Sequence, residues 1–190
     1  MDPNSITIGV ATLGKIPSTV PKVIAAHISG YYDLTARVLV PRKQPAYAFD
    51  ERRLQYNAGI ILDTLNAVSF KGCKKVLGVL NVDIFIPIFK HVFGEARQGG
   101  RIAIISLYRL GQHQNGSAVS RSDLYSRAAK VALHELGHLF NLHHCDNGNC
   151  LMHFSGALDE LDTLSFTLCR YCKAYLQDAL KTLASKPAGN

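Results

Sequence analysis

The run His134-Glu135-Leu136-Gly137-His138 places two imidazoles four residues apart, with a carboxylate beside the first. On a helix, residues four apart share a face, so His134 and His138 can reach one metal ion. Glu135 can then reach a water on that ion, take its proton and deliver it to a departing amine. A third histidine, His144, lies six residues after His138. Three neutral imidazoles would give zinc three nitrogen ligands and leave the fourth position to water, as a catalytic site requires. The expected chemistry is peptide-bond hydrolysis by a zinc-bound water, with Glu135 as general base and no covalent intermediate. Two residues rival His144 as third ligand. His143 lies five residues after His138, and Glu160 lies further downstream, although the Asp that would accompany it is Leu164.

Four of the five cysteines form two close pairs, Cys145 with Cys150 and Cys169 with Cys172, while Cys73 stands apart. Four thiolates at these spacings close a tetrahedron around a structural zinc at about 2.3 Å. Two disulfides or four free thiols are the alternatives, and an odd cysteine count argues against a secreted disulfide framework. The expectation is two zinc ions per chain, one catalytic and one structural. His144 and Cys145 are neighbours in the chain, so the two sites would share one peptide bond, and fixing Cys145 would restrict His144.

The elements that must position these residues follow from periodicity. Ser120, with Asp123 three residues on, is a plausible cap for a helix running to about Phe140. Ala129, Leu133, Leu136 and Phe140 make one apolar stripe, to pack under a sheet. Val131, His134, Glu135 and His138 make another, facing a cleft. Asn141 follows, and Asn tolerates the left-handed backbone that ends a helix. Upstream, strands are expected at Ser5–Leu13, Ala36–Val40 and Lys75–Val82, with helices at Val20–Tyr31 and, capped by Asp50, at Glu51–Ser69. His91–Ala96 and Arg101–Leu107 read as two strands joined by Gly99-Gly100, a link too short for a crossover, so they should be antiparallel neighbours. Downstream, Ser155–Leu168 suggests a short helix and Cys169–Ala184 a longer one. Alternating helices and strands predict an α/β layer with a mostly parallel sheet and an antiparallel strand.

The 190 residues suffice for one domain with a proper core. Residues 71–130 hold 10 Lys and Arg against 3 Asp and Glu, whereas residues 131–190 hold 4 against 6, so the basic excess sits in the middle of the chain. Its charges are scattered and lack interleaved aromatics, which favours a solvated basic surface over a nucleic-acid partner. No apolar run approaches the roughly 20 residues of a membrane span. Met1-Asp2-Pro3-Asn4-Ser5 carries no signal-peptide pattern, so the expected location is the cytoplasm.

His134 to His144 resembles the metzincin consensus H-E-x-x-H-x-x-G-x-x-H. Cys145, Cys150, Met152 and the pair Cys169-x-x-Cys172 then make the chain similar to the archaemetzincins, a metzincin subfamily of zinc metallopeptidases. Val92-Phe93-Gly94-Glu95-Ala96 and Ser106-Leu107-Tyr108-Arg109-Leu110 belong to the same resemblance. It implies a metzincin-like fold: a twisted sheet above a cleft, an antiparallel edge strand that pairs with substrate, an active-site helix, and a helical cysteine-rich C-terminal part. It implies one catalytic domain over 1–190, with residues 1–141 above the cleft and 142–190 below. His91–Arg97 is the candidate edge strand, Met152 the candidate Met-turn beneath the metal, and a peptide or protein the substrate. The alternative is a non-catalytic zinc-binding module that keeps its metals for folding. Two positions depart from the pattern. Asn141 stands at the consensus glycine, and Phe154 stands where some metzincins carry a tyrosine hydroxyl.

Overall fold

Hydrophobic alternation on two central strands buries both faces of one sheet. Leu77 and Val79 point to one side of β5 (Lys75–Leu80), Val76 and Leu80 to the other. Ala103 and Ile105 oppose Ile102 and Ile104 on a second strand, Ile102–Ser106, in the same way. This is the pattern of a sheet covered on both faces by helices. The computed structural model describes residues 6–113 and 115–185. Ser5, where the first strand was expected to begin, the N-terminal residues that bear on a signal peptide, and Gln114 lie outside the described residues.

In chain order the elements before β5 are β1 (Thr7–Thr12), α1 (Thr19–Tyr32), β2 (Thr35–Val38), β3 (Phe49–Asp50), β4 (Gln55–Asn57) and α2 (Ala58–Asn66). After it come β6 (Ile84–Ile86), β7 (Phe89–Val92), β8 (Gly94–Ala96), β9 (Ile102–Ser106), α3 (Leu107–Leu110), α4 (Arg121–Leu139), α5 (Leu158–Thr163) and α6 (Arg170–Ser185). The main sheet has the order β2-β1-β5-β9-β8. Its first four strands are parallel, and β8 is antiparallel to β9 through the Gly99-Gly100 turn. The mostly parallel sheet with an antiparallel edge is therefore present. Helices α1 and α4 cover one face; α2 covers the other. Among the described residues no helix is long and apolar enough to cross a membrane.

Three expectations are corrected. Glu51–Ser69 is not one helix. Asp50 does not cap a helix there; its Oδ1 accepts the backbone N–H of Arg52 and Arg53, closing a turn between β3 and β4. Leu54 then takes φ 55°, which no helix continues through. The helix begins only at Ala58, where the Asn57 side chain accepts the Ile60 N–H. Second, His91–Ala96 is not one strand. It breaks at Phe93: β7 pairs with β6 in a second sheet of order β3-β4-β6-β7, while β8 stays on the main sheet. Third, the helix expected over Ser155–Leu168 covers only Leu158–Thr163.

Candidate metal centre and active-site cleft

The Ser120 hydroxyl accepts the Asp123 N–H and caps α4, the longest helix among the described residues. Leu133 and Leu136 on its buried stripe are fully covered, whereas His134 and His138 are half-buried and line a cavity of about 660 Å³. The helix ends because Asn141 adopts φ 69°. Its N–H returns to the His138 carbonyl at 2.9 Å, and the chain reverses so that His144 comes back over the two helical histidines. One ring nitrogen from each of His134, His138 and His144 lies within 4.8 Å of the others. His143 is exposed and outside this group. Glu160 is also outside it, accepting the N–H of Gly156 and Ala157 at the start of α5.

The two helical histidines have defined tautomers. His134 Nδ1 lies 2.8 Å from the Leu151 carbonyl, and His138 Nδ1 lies 2.8 Å from the Leu142 carbonyl. A carbonyl only accepts, so both Nδ1 atoms carry the proton and both Nε2 atoms present lone pairs. Those Nε2 atoms face each other at 3.1 Å. Two lone pairs at that distance repel unless a cation lies between them. Protonation does not resolve the conflict readily, because burial pushes His134 down to about 3 and lowers His138 and His144 as well. The donor set therefore fits a metal ion that prefers nitrogen ligands.

Glu135 points into the same cavity and is 8% exposed. Burial, and then the charge of Glu95, raise its carboxyl well above the ordinary carboxylate range. It fits only because residue 94 is glycine: a Cβ there would lie 2.6 Å from Glu135 Cγ. Gly94 sits on β8, the sheet edge that borders the cleft. On the other side of α4, Gly137 has the same role. A Cβ there would lie 2.5 Å from Met152 Sδ, and the fully buried Met152 packs against the bare helix backbone. Tyr32 Oη donates to the Leu133 carbonyl at 2.7 Å close by. Phe154 meets His144 edge to face, with ring centroids 5.2 Å apart.

Below the cleft, the sulfurs of Cys145, Cys150, Cys169 and Cys172 also lie within 4.8 Å of one another, and none forms a disulfide. Cys169 precedes α6, and hydrogen bonding from the Cys172 N–H lowers its thiol to about 7, while burial raises Cys150 and Cys172. Four sulfurs gathered this closely suit a tetrahedral metal with no open position. The Cys145 N–H donates to the Met152 carbonyl at 2.9 Å, so the turn carrying Met152 is tied to the junction between the two clusters.

Residues 20–178 match the model of Peptidase family M54. The chain belongs to peptidase family M54. It is a zinc metallopeptidase of that family and is 36% identical over 177 residues to archaemetzincin from Pyrococcus abyssi, covering 90% of this chain and 94% of that one. It matches the crystal structure of archaemetzincin from Methanopyrus kandleri with a TM-score of 0.83 at 35% identity, over 94% of this chain and 97% of that one. A zinc-dependent peptidase from Methanocorpusculum labreanum matches with a TM-score of 0.81 at 28% identity, over 89% of this chain and 99% of that one. In this M54 chain, Gly94 and Gly137 stand inside the sequence motifs with no chemical role legible from their type, and nothing in the sequence marks the contact of Tyr32 with α4. A glycine inside a strand pattern marks a close backbone approach, and that signal alone would have drawn attention to Gly94.

Proposed function

We propose that the chain hydrolyses peptide bonds at a zinc ion held by His134, His138 and His144, with Glu135 as general base, and that Cys145, Cys150, Cys169 and Cys172 hold a second, structural zinc. The observation that carries the first centre is the pair of Nε2 lone pairs facing at 3.1 Å, each fixed by an Nδ1 proton engaged with a backbone carbonyl. Zinc, when bound, supplies Lewis-acid chemistry, making water nucleophilic near neutral pH and polarising a carbonyl. The chain's own residues do the rest. Glu135, whose buried site favours the protonated form, takes a proton from water and holds it on its carboxyl until the leaving amine receives it. The outer edge of β8 pairs with an extended substrate backbone, a mode that reads backbone more than side chains. Met152 packs beneath the histidines and does no proton chemistry.

On this reading residues 1–190 form one catalytic domain. Residues 1–141 form its part above the cleft, and residues 142–190, with the Met152 turn and the cysteines, the part below. The fold is then metzincin-like, with its C-terminal part helical and cysteine-rich. Four unbridged thiols suit the reducing cytoplasm. A non-catalytic zinc module is disfavoured, because it has no use for a buried carboxylate beside the histidines. The test is metal content combined with a broad peptide-library digest of wild type and Glu135→Ala. Two zincs per chain in both proteins are expected, with cleavage reduced by about 10²–10⁴-fold in the variant. Equal cleavage by both proteins would remove Glu135 from the mechanism.

A further inference from the structure

One turn before His134 on α4, Lys130 is 6% exposed and lines the same cavity. Its ammonium donates to the carbonyls of Leu161 at 2.9 Å and Asp162 at 2.8 Å, at the end of α5. An ammonium has three N–H donors, and these carbonyls take two. The Asp162 carboxylate favours this charge through space but makes no hydrogen bond to it. Both oxygens of Asp162 are engaged by Arg127, at 2.7 and 2.6 Å. Among the described residues, no carboxylate lies within ion-pair distance of Lys130. The Phe166 ring lies 5.6 Å from the ammonium and supplies a weak cation–π contact. The buried cation is thus only partly compensated, which is costly, and natural structures pair such groups or use them. The nearby cavity walls include the apolar Val131, Leu161 and Leu164. A second unsatisfied group lines the cavity as well: Ser155 Oγ is buried without a hydrogen-bond partner.

We propose that this part of the cavity is a carboxylate-binding subsite, in which Lys130 and Ser155 select a substrate with an acidic group next to the scissile bond. The proposal rests on the peptidase reading and deepens it. Residue 130 lies about 6 Å along the helix axis from residue 134, a reach that suits a residue flanking the bond being cut. Two sources share this chemistry: an Asp or Glu side chain, or the substrate's own C-terminal carboxylate.

The experiment measures kcat/KM on matched peptides. One arm compares Glu with Gln at each position flanking the scissile bond, in peptides with amidated ends. The other compares free with amidated C-termini in peptides with neutral side chains. Wild type is expected to favour the carboxylate about tenfold or more in one arm, the scale of a charge-assisted hydrogen bond, and that arm identifies the source. Lys130→Met is expected to bring the ratio close to one, chiefly through the carboxylate substrate's KM. Lys130 also binds the end of α5, so Lys130→Met could misfold. Ser155→Ala breaks no hydrogen bond inside the protein and is expected to lower the ratio a few-fold at unchanged Tm. Ratios near one in wild type, or ratios unchanged in both variants, overturn the proposal. If wild type cleaves no peptide, the peptidase reading fails, and binding of the same peptides, labelled with a fluorophore, decides the subsite. Tighter binding of the carboxylate peptide by wild type than by Ser155→Ala supports it, and equal binding overturns it.

Discussion

At the scale of single residues, the cleft depends on atoms that are missing. Gly94 provides the space that the Glu135 side chain occupies. Gly94→Ala is expected to displace the carboxylate and lower kcat/KM by about 10²-fold, the typical consequence of an ångström-scale misplacement. Zinc content should stay the same, so parallel kinetics and metal analysis check this. A second prediction concerns protons. His134 has a pKa of about 3 in the folded chain against an ordinary 6.5. Below pH 6.5 the unfolded chain takes up a proton that the folded, metal-free chain refuses, so stability falls as pH drops from about 6.5 towards 3. His138 and His144 act in the same direction. Glu135 acts oppositely: its raised folded value contributes stability that is complete below pH 4.5 and is lost as pH climbs from 4.5 through that raised value. In a Glu135→Gln background, the urea midpoint of the metal-free protein should therefore fall on acidification, and adding His134→Asn should flatten that fall.

At the scale of elements, α4 was legible because three signals agree: the Ser120 cap, the apolar stripe and the left-handed stop. Asn141 accepts a backbone that Ala resists. Asn141→Ala is expected to cost about 1 kcal/mol and Asn141→Gly only a few tenths, read by urea denaturation of the zinc-loaded protein. The same local chemistry misled at Asp50. A carboxylate that accepts N–H groups two and three residues ahead closes a turn as readily as it caps a helix, and the left-handed Leu54 carries no warning in its type. The break at Phe93 was hidden for another reason. Val92-Phe93-Gly94 continues a β-rich run, and only the choice of partners, β6 for one half and β9 for the other, divides it between sheets. Long-range pairing of that kind leaves no local mark. The histidine and cysteine clusters could be expected from spacing because metal ligation constrains residue type and interval together. The cation of Lys130 looked like any helix-surface lysine until α5 covered it.

At the scale of the whole molecule, the histidine and cysteine clusters are joined by the peptide bond between His144 and Cys145, reinforced by the Cys145–Met152 backbone contact. Cys145→Ser is expected to release the zinc proposed at the cysteine cluster and also to weaken the one proposed at the histidines. Metal analysis after graded chelation reads both. Loss of one zinc with the other held at unchanged affinity would show that the junction transmits nothing. The free side of β8 has a further consequence. An unpaired sheet edge that can receive a substrate strand can equally receive a strand from another copy of the same protein, which is how open edges start aggregates. Here the unpaired rung is three half-buried residues long, begins at a glycine and carries Glu95 at its centre, with Arg97 next in the chain. So short and charged a rung gives one extended visitor a brief hold but offers little register for self-assembly. The three residues proposed to grip substrate are thus the same ones that limit how readily this edge can template self-assembly.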